Sequence, residues 1–182
     1  IQEPGLVILP YHRLLKNLPN QRLENLIERI ALNFELRLFS SQLNPEKLNL
    51  IFRELSQAQE RAMIMIDTQS QIWLLKIKNR LAKEMGDKLD VEILEELILS
   101  QVLMITRKEL FEENFVVYET NEEKLVERML EEKFQLAFLL KPIPIQSVIN
   151  RAEKGLVMPD KSTYFYPKLP TGLTFRRLSP TD

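Results

Sequence analysis

The run Leu136-Ala137-Phe138-Leu139-Leu140 has no polar face. A short, uninterrupted apolar stretch bounded by Gln135 and by Lys141-Pro142 reads as a strand. Residues 115–119 (Phe-Val-Val-Tyr-Glu) read as a second one. Between them, Thr120 and Glu123 have the spacing of a capping box, opening a helix that turns Leu125, Val126, Met129 and Leu130 inward. Strand, helix and strand in this order predict a βαβ unit.

The other periodicities fill in around it. Gly5-Leu6-Val7-Ile8-Leu9, ahead of Pro10, predicts a buried strand. Asn20 is placed to cap a helix whose apolar positions are Leu23, Leu26, Ile27, Ile30 and Phe34. Residues 35–39 alternate as a strand does, and Asn44-Pro45-Glu46 is a strong helix start, followed by Leu48, Ile51, Phe52 and Leu55 on one face. Residues 62–66 and 72–77 are β-prone and separated by five polar residues, which predicts a hairpin with Trp73 as a core anchor. Asp90 is placed to cap a helix with a wide apolar stripe from Ile93 to Ile105, and a last helix from Ile145 to Lys154 should stop at Gly155. No repeat or Pro/Gly/Ser-rich linker divides the chain, so residues 1–182 read as one structural unit. The expected class is α+β or mixed α/β: a mixed sheet with a β-hairpin, a βαβ unit and about five helices.

Composition excludes several chemistries. The chain has no Cys and one His, which removes thiol catalysis, disulfides, Cys-based metal centres and paired-His zinc sites. Its four glycines are too scattered for a dinucleotide or P-loop phosphate motif. No metal-ligand spacing is legible, and no cofactor is indicated. A formal net charge of −1 argues against nucleic-acid binding by bulk charge. Residues 109–133 hold nine acids against three bases, most simply a solvated helix face. No apolar stretch is long enough to span a membrane and no signal peptide is visible. Absence of Cys fits a cytoplasmic location, and the abrupt start at Ile1 predicts a piece of something longer.

Two segments could carry chemistry. In Pro10-Tyr11-His12-Arg13, expected at a strand end, His12 could serve as a general base and Arg13 could hold a carboxylate or phosphate. The competing reading is a polar strand end with a structurally bonded imidazole. The second segment is Met158-Pro159-Asp160-Lys161-Ser162-Thr163-Tyr164-Phe165-Tyr166-Pro167-Lys168. Here Lys161, Ser162, Thr163 and Lys168 could cradle an anion, while Tyr164 and Tyr166 could stack on a base or on a partner. Its competing reading is a closing strand at an interface.

These two segments, together with Gln135-Leu136-Ala137-Phe138-Leu139-Leu140, resemble a prokaryotic family called domain of unknown function 1015. Tyr11 and Asp160 stand where the family more often has Thr and Gln. Full-length members carry an N-terminal region ending in Asp-Gly-His-His-Arg-Tyr, absent here, so the chain resembles the family's C-terminal half. That absent motif is similar to one in the ParB and sulfiredoxin superfamily, which includes partitioning proteins and nucleotide-dependent kinases of free serine.

Three functions follow as expectations. The first is part of a small-molecule, phosphate-binding (phosphoryl-transfer) enzyme acting on a phosphorylated metabolite or nucleotide, with His12 catalytic and Arg13, Lys161, Ser162, Thr163 and Lys168 binding the anion. The second is a ParB-like nucleic-acid-associated protein, disfavoured by charge. The third is an interaction module that pairs with a second copy or a missing N-terminal domain.

Overall fold

The computed structural model describes residues 7–57, 61–111 and 115–168. The architecture is α+β, with one six-stranded sheet and a separate two-stranded ribbon. In chain order the elements are β1 (Val7–Leu9), β2 (His12–Leu15), α1 (Asn20–Leu23), α2 (Leu26–Ala31), β3 (Phe34–Ser40), α3 (Pro45–Gln57), β4 (Ala62–Ile66), β5 (Ile72–Ile77) and α4 (Asn79–Glu84). Then follow α5 (Asp90–Ile93), running on into a π-helical stretch (Leu94–Ser100), α6 (Arg107–Phe111), β6 (Val116–Glu119), α7 (Glu122–Glu131), β7 (Leu136–Leu139), α8 (Ile145–Glu153) and β8 (Tyr164–Tyr166). Among the described residues no helix is long and apolar enough to cross a membrane.

The large sheet has the order β3-β5-β4-β7-β2-β6, with every neighbouring pair antiparallel. The predicted hairpin is β4–β5, in register from Ala62↔Lys76 to Ile66↔Ile72. The predicted βαβ unit is β6-α7-β7. Its strands are parallel to each other but not adjacent, because β2 lies between them and pairs with both. The first apolar run behaves differently from expectation. Within the described residues it forms β1, which is partly exposed and pairs only with β8, through Val7↔Tyr166, Ile8↔Phe165 and Leu9↔Tyr164. The buried strand is the next segment, His12–Leu15, whose four residues are all buried. From sequence its polar start reads as a strand end rather than as a buried strand.

Strand alternation divides the core into two layers. On one face Leu15, Met63, Met65, Leu75, Leu136 and Phe138 pack against α2, α5 and the π-helical stretch, through Ile30, Val91, Leu94, Leu97 and Ile98. On the other, Leu14, Ile64, Ile66, Ala137 and Leu139 pack against Leu48, Ile51 and Leu55 of α3 and Leu125, Val126 and Met129 of α7. This explains why the run 136–140 lacks a polar face: β7 is covered on both sides.

Several helix ends follow the sequence signals. Asn44 Oδ1 accepts from the Glu46 and Lys47 amides at 2.8 and 3.3 Å. At the end of α8, Gly155 adopts φ +66°. There Leu156 N–H donates to the Arg151 carbonyl at 2.8 Å and Gly155 N–H to that of Ala152 at 3.0 Å, a Schellman closure. Others differ. The helix expected from Asn20 breaks at Asn25, which takes φ +50°, so α1 and α2 are separate turns. Helix α7 is capped by Asn121, whose Oδ1 accepts from Lys124 N–H at 2.8 Å, rather than by Thr120. Trp73 is half-buried and anchored by its indole N–H to Asp67 at 2.8 Å.

Phe138 is fully buried at the centre of the sheet, opposite Arg13 on β2 and Met65 on β4. Phe138→Ala should lower the unfolding free energy by about 3–5 kcal/mol. Urea denaturation read by circular dichroism checks this through a lower midpoint at unchanged slope.

Candidate functional site

The two polar segments singled out in the sequence meet in space, because β1 and β8 pair along their length. They do not form one catalytic constellation. His12 and Arg13 are consecutive in a strand, so their side chains leave opposite faces of the sheet.

His12 goes to the α3/α7 side and is fully buried. Its Nδ1 accepts the Leu140 amide at 3.3 Å, and its ring meets Phe52 edge-on with centroids 5.7 Å apart. Nε2 faces Glu122 Oε1 at 3.7 Å, an electrostatic approach rather than a full hydrogen bond. The His12 ring N–H is the main influence holding Glu122 below the ordinary carboxylate range, ahead of the burial that opposes it.

Arg13 goes to the other side and is also fully buried. Its guanidinium donates from Nη1 to the Tyr11 carbonyl, pairs from Nη2 with Glu95 Oε1 at 3.3 Å, and lies 5.3 Å from the Tyr118 ring centroid. Burial lowers the Arg13 pKa, opposed by Glu95; the group stays charged. Burial likewise raises the Glu95 carboxyl and the Tyr118 phenol, and in both cases Arg13 opposes it. Lys161, in left-handed backbone (φ +50°), sets its ammonium 5.8 Å above Tyr11 and 6.0 Å above Tyr118. Tyr11 makes edge contacts with Tyr118 and Tyr164 at 6.2 and 5.7 Å. Lys168 is exposed and covers the Tyr164 ring at 4.6 Å. Thr163 and Tyr164 are half-buried, and Tyr166 is exposed. Of the proposed anion ligands, Arg13 and Lys161 therefore share a cation–aromatic stack, and Ser162 stands elsewhere.

Ser162 is buried, its hydroxyl has no partner among the described residues, and it lines a cleft of about 770 Å³. The cleft lies where three adjacent strands end. Arg61 immediately precedes β4, Leu140 and Lys141 immediately follow β7, and Pro10 and Tyr11 immediately precede β2. The walls are completed by the turn and first residues of α5 (Asp87 to Val91), by Ser147, Asn150, Arg151 and Lys154 of α8 and its end, and by Ser56 and Gln57 of α3.

Five cations line the cleft, and four are already paired with carboxylates. Arg151 holds Glu92 bidentately at 2.9 and 3.0 Å, Lys154 pairs with Asp87 at 3.0 Å, Lys141 with Asp90 at 3.8 Å, and Lys88 with Glu96. Arg61 differs. Its Nη2 donates to the Gly86 carbonyl, its Nη1 is buried without an acceptor, and no carboxylate among the described residues lies in ion-pair range. Arg151 Nε is also a buried donor without an acceptor. Arg61, Lys141 and Arg151 went unnoticed in the sequence because they come from three separate segments with no shared motif. The one local signal was a lysine beside two prolines directly after the apolar strand. Among the described residues no cluster of His, Asp and Glu could hold a metal ion.

His12→Ala should cost about 1–3 kcal/mol from the orphaned Leu140 amide alone. His12→Asn, whose Oδ1 can take the place of Nδ1, should recover part of that loss in chemical denaturation. Equal destabilisation by both substitutions would count against the bond's importance.

No curated protein matches the chain in sequence. Among solved structures it is similar in fold to a conserved hypothetical protein from Pyrococcus furiosus, with TM-score 0.51 and 14% identity over 93% of this chain and 60% of that one. It is also similar to a free serine kinase in complex with AMP, with TM-score 0.50 and 14% identity over 90% of this chain and 55% of the kinase. The chain thus spans about three-fifths or less of these structures, and at such identity the likeness is one of fold. The family model described as "Protein of unknown function (DUF1015)" matches residues 1–92, which include β2 and the cleft residues Arg61 and Asp90. Matching half of its length, the chain belongs to the DUF1015 family.

Proposed function

We propose that the chain supplies the anion-binding part of a small-molecule enzyme, and that the cleft beyond β4, β7 and β2 receives the phosphate of a phosphorylated metabolite or nucleotide. The observation that carries this reading is Arg61, a cleft-lining guanidinium with a free donor and no carboxylate partner among the described residues. A cation in a partly enclosed cleft, with no direct carboxylate contact among the described residues, is suited to a ligand's negative charge. Ser162 and Arg151 add donors without acceptors in the same walls. The mixed lining suits a ligand with an apolar part, because Leu89, Val91, Pro142, Ile143 and Leu156 line the same cleft as the polar groups. The fold likeness to a kinase solved with AMP is in keeping with this reading, as analogy only.

On this reading Ser162 stands at the ligand side, while Arg13 and Lys161 support the aromatic stack instead of touching a ligand, Arg13 holding Glu95 as well. Lys168 covers the Tyr164 ring of the closing segment, and His12 serves the fold. Phosphoryl transfer would rest on positioning and charge stabilisation, which the cleft's cations can supply.

Isothermal titration with AMP, and separately with sulfate, tests the reading. Arg61→Ala should weaken both by about 10- to 100-fold, the loss of a hydrogen bond between charged groups. Lys124→Ala, on the exposed side of α7, should change neither. Equal affinity in the Arg61 variant, or no binding at all by the unmodified protein, would sink the proposal.

A further inference from the structure

Among the described residues Arg61 has no direct carboxylate contact, yet carboxylates stand near it. Asp87 and Asp90 are both within its electrostatic reach, and both line the cleft. They differ in setting. Asp87 is exposed, and its contact with Lys154 holds its carboxyl below the usual range. Asp90, the first residue of α5, has only 21% of its side chain exposed, and its Lys141 partner stands back at 3.8 Å. An anion bound beside Arg61 therefore meets a fixed, poorly solvated negative charge in the same wall.

Resting on the anion-site reading above, we propose that Asp90 is a proton-coupled gate for this cleft. An anion binds with uptake of one proton by Asp90, tightly when that side chain is neutral and weakly when it is a carboxylate. The proton comes from solvent or buffer acid and forms an O–H bond on a carboxylate oxygen. No electrons are exchanged. The neutral carboxylic acid then becomes a hydrogen-bond donor, where the carboxylate could only accept.

The groups around Asp90 favour this residue as the one that changes charge. Burial already pushes its carboxyl above the ordinary range, opposed by Lys141 after β7 and by Arg61 before β4. A bound anion acts in the same direction as burial. On its own helix, Glu92 is committed to Arg151 by two short contacts and to the Leu89 amide at 2.8 Å. In the preceding turn Lys88 is paired with Glu96, and Asp87 is already held as a carboxylate by Lys154. Glu95 is also raised by burial, but it pairs with Arg13 and does not line the cleft.

The direction follows from linkage. The anion raises the pKa of Asp90, so affinity is greatest below the pKa of the free protein. It falls as pH rises through the window between the free and liganded values, and is flat above both.

Sulfate is the probe, because its own charge stays fixed between about pH 5 and pH 8. Titration calorimetry over that range should show sulfate affinity falling with rising pH, by at most about tenfold per pH unit for one proton. Repeating one pH in buffers of different ionisation enthalpy should read proton uptake approaching one per sulfate, a measurement that needs no variant. Asp90→Asn should bind sulfate at neutral pH at least as tightly as the unmodified protein does at its acid limit, with neither pH dependence nor proton uptake. Glu127→Gln, on the exposed side of α7 and outside the cleft lining, should retain both. Sulfate binding without pH dependence or proton uptake in the unmodified protein overturns the gate and leaves the anion site standing. So does a dependence that survives in Asp90→Asn. Absence of sulfate binding at every pH overturns the anion site and the gate together.

Discussion

A buried guanidinium has to be compensated, and the compensation of Arg13 organises one side of this protein. Strand β2 lies between β6 and β7, so its backbone is bonded on both edges and its residues cannot swing out to solvent. Alternation then fixes where the two polar side chains go. His12 meets a backbone amide and a carboxylate; Arg13 meets a carbonyl, a carboxylate and an aromatic face. Removing one partner of such a buried pair leaves an uncompensated charge, which costs far more than the pair's net contribution. The π-helical stretch that carries Glu95 is therefore held to the sheet by charge as well as by its apolar residues. A π-helical insertion shifts the side chains that follow it relative to a regular helix, a placement often found at functional sites.

From Glu95 the same face leads to the cleft. Glu92, close enough to Glu95 to raise its carboxyl, clamps Arg151 of α8. Helix α8 has no buried residue of its own, and two ion pairs tie it to the turn and helix beside it, the bidentate Arg151–Glu92 pair and the Lys154–Asp87 contact. The cleft wall that α8 contributes is thus set by ion pairs rather than by a packed stripe, and it is sensitive to what neutralises them.

Legibility in the sequence followed the range of the interactions. The hairpin, the cap at Asn44, the closure at Gly155 and the uninterrupted run 136–140 are decided by neighbours a few residues apart, and all were readable. The insertion of β2 between the strands of the βαβ unit was not, because pairing between Arg13 and Phe138 spans most of the chain. Reading Pro10 to Arg13 as a strand end was reasonable from composition, since a His-Arg pair is seldom buried. What overrides composition here is tertiary compensation by Glu95, Glu122 and Leu140, which no local pattern announces. The cleft was invisible for the same reason. Its cations come from before β4, after β7 and from α8, and only the sheet order brings them together.

The closing segment ties these features into one mechanical unit. A ribbon of three residue pairs has too little pairing to stand alone in water. What seats it is the stack of Tyr164 on Tyr11, with Tyr11 and Lys161 resting on Tyr118, the ring that also faces Arg13. Ser162 follows Lys161 directly, so the left-handed turn at Lys161 decides where the hydroxyl enters the cleft wall. The buried Arg13 is thus joined to the cleft wall by two series of neighbouring groups, through Glu95 and Glu92 to Arg151, and through Tyr118 and Lys161 to Ser162. The long polar motif earns its place in this fold by position: it carries the donor that only the completed ribbon can deliver.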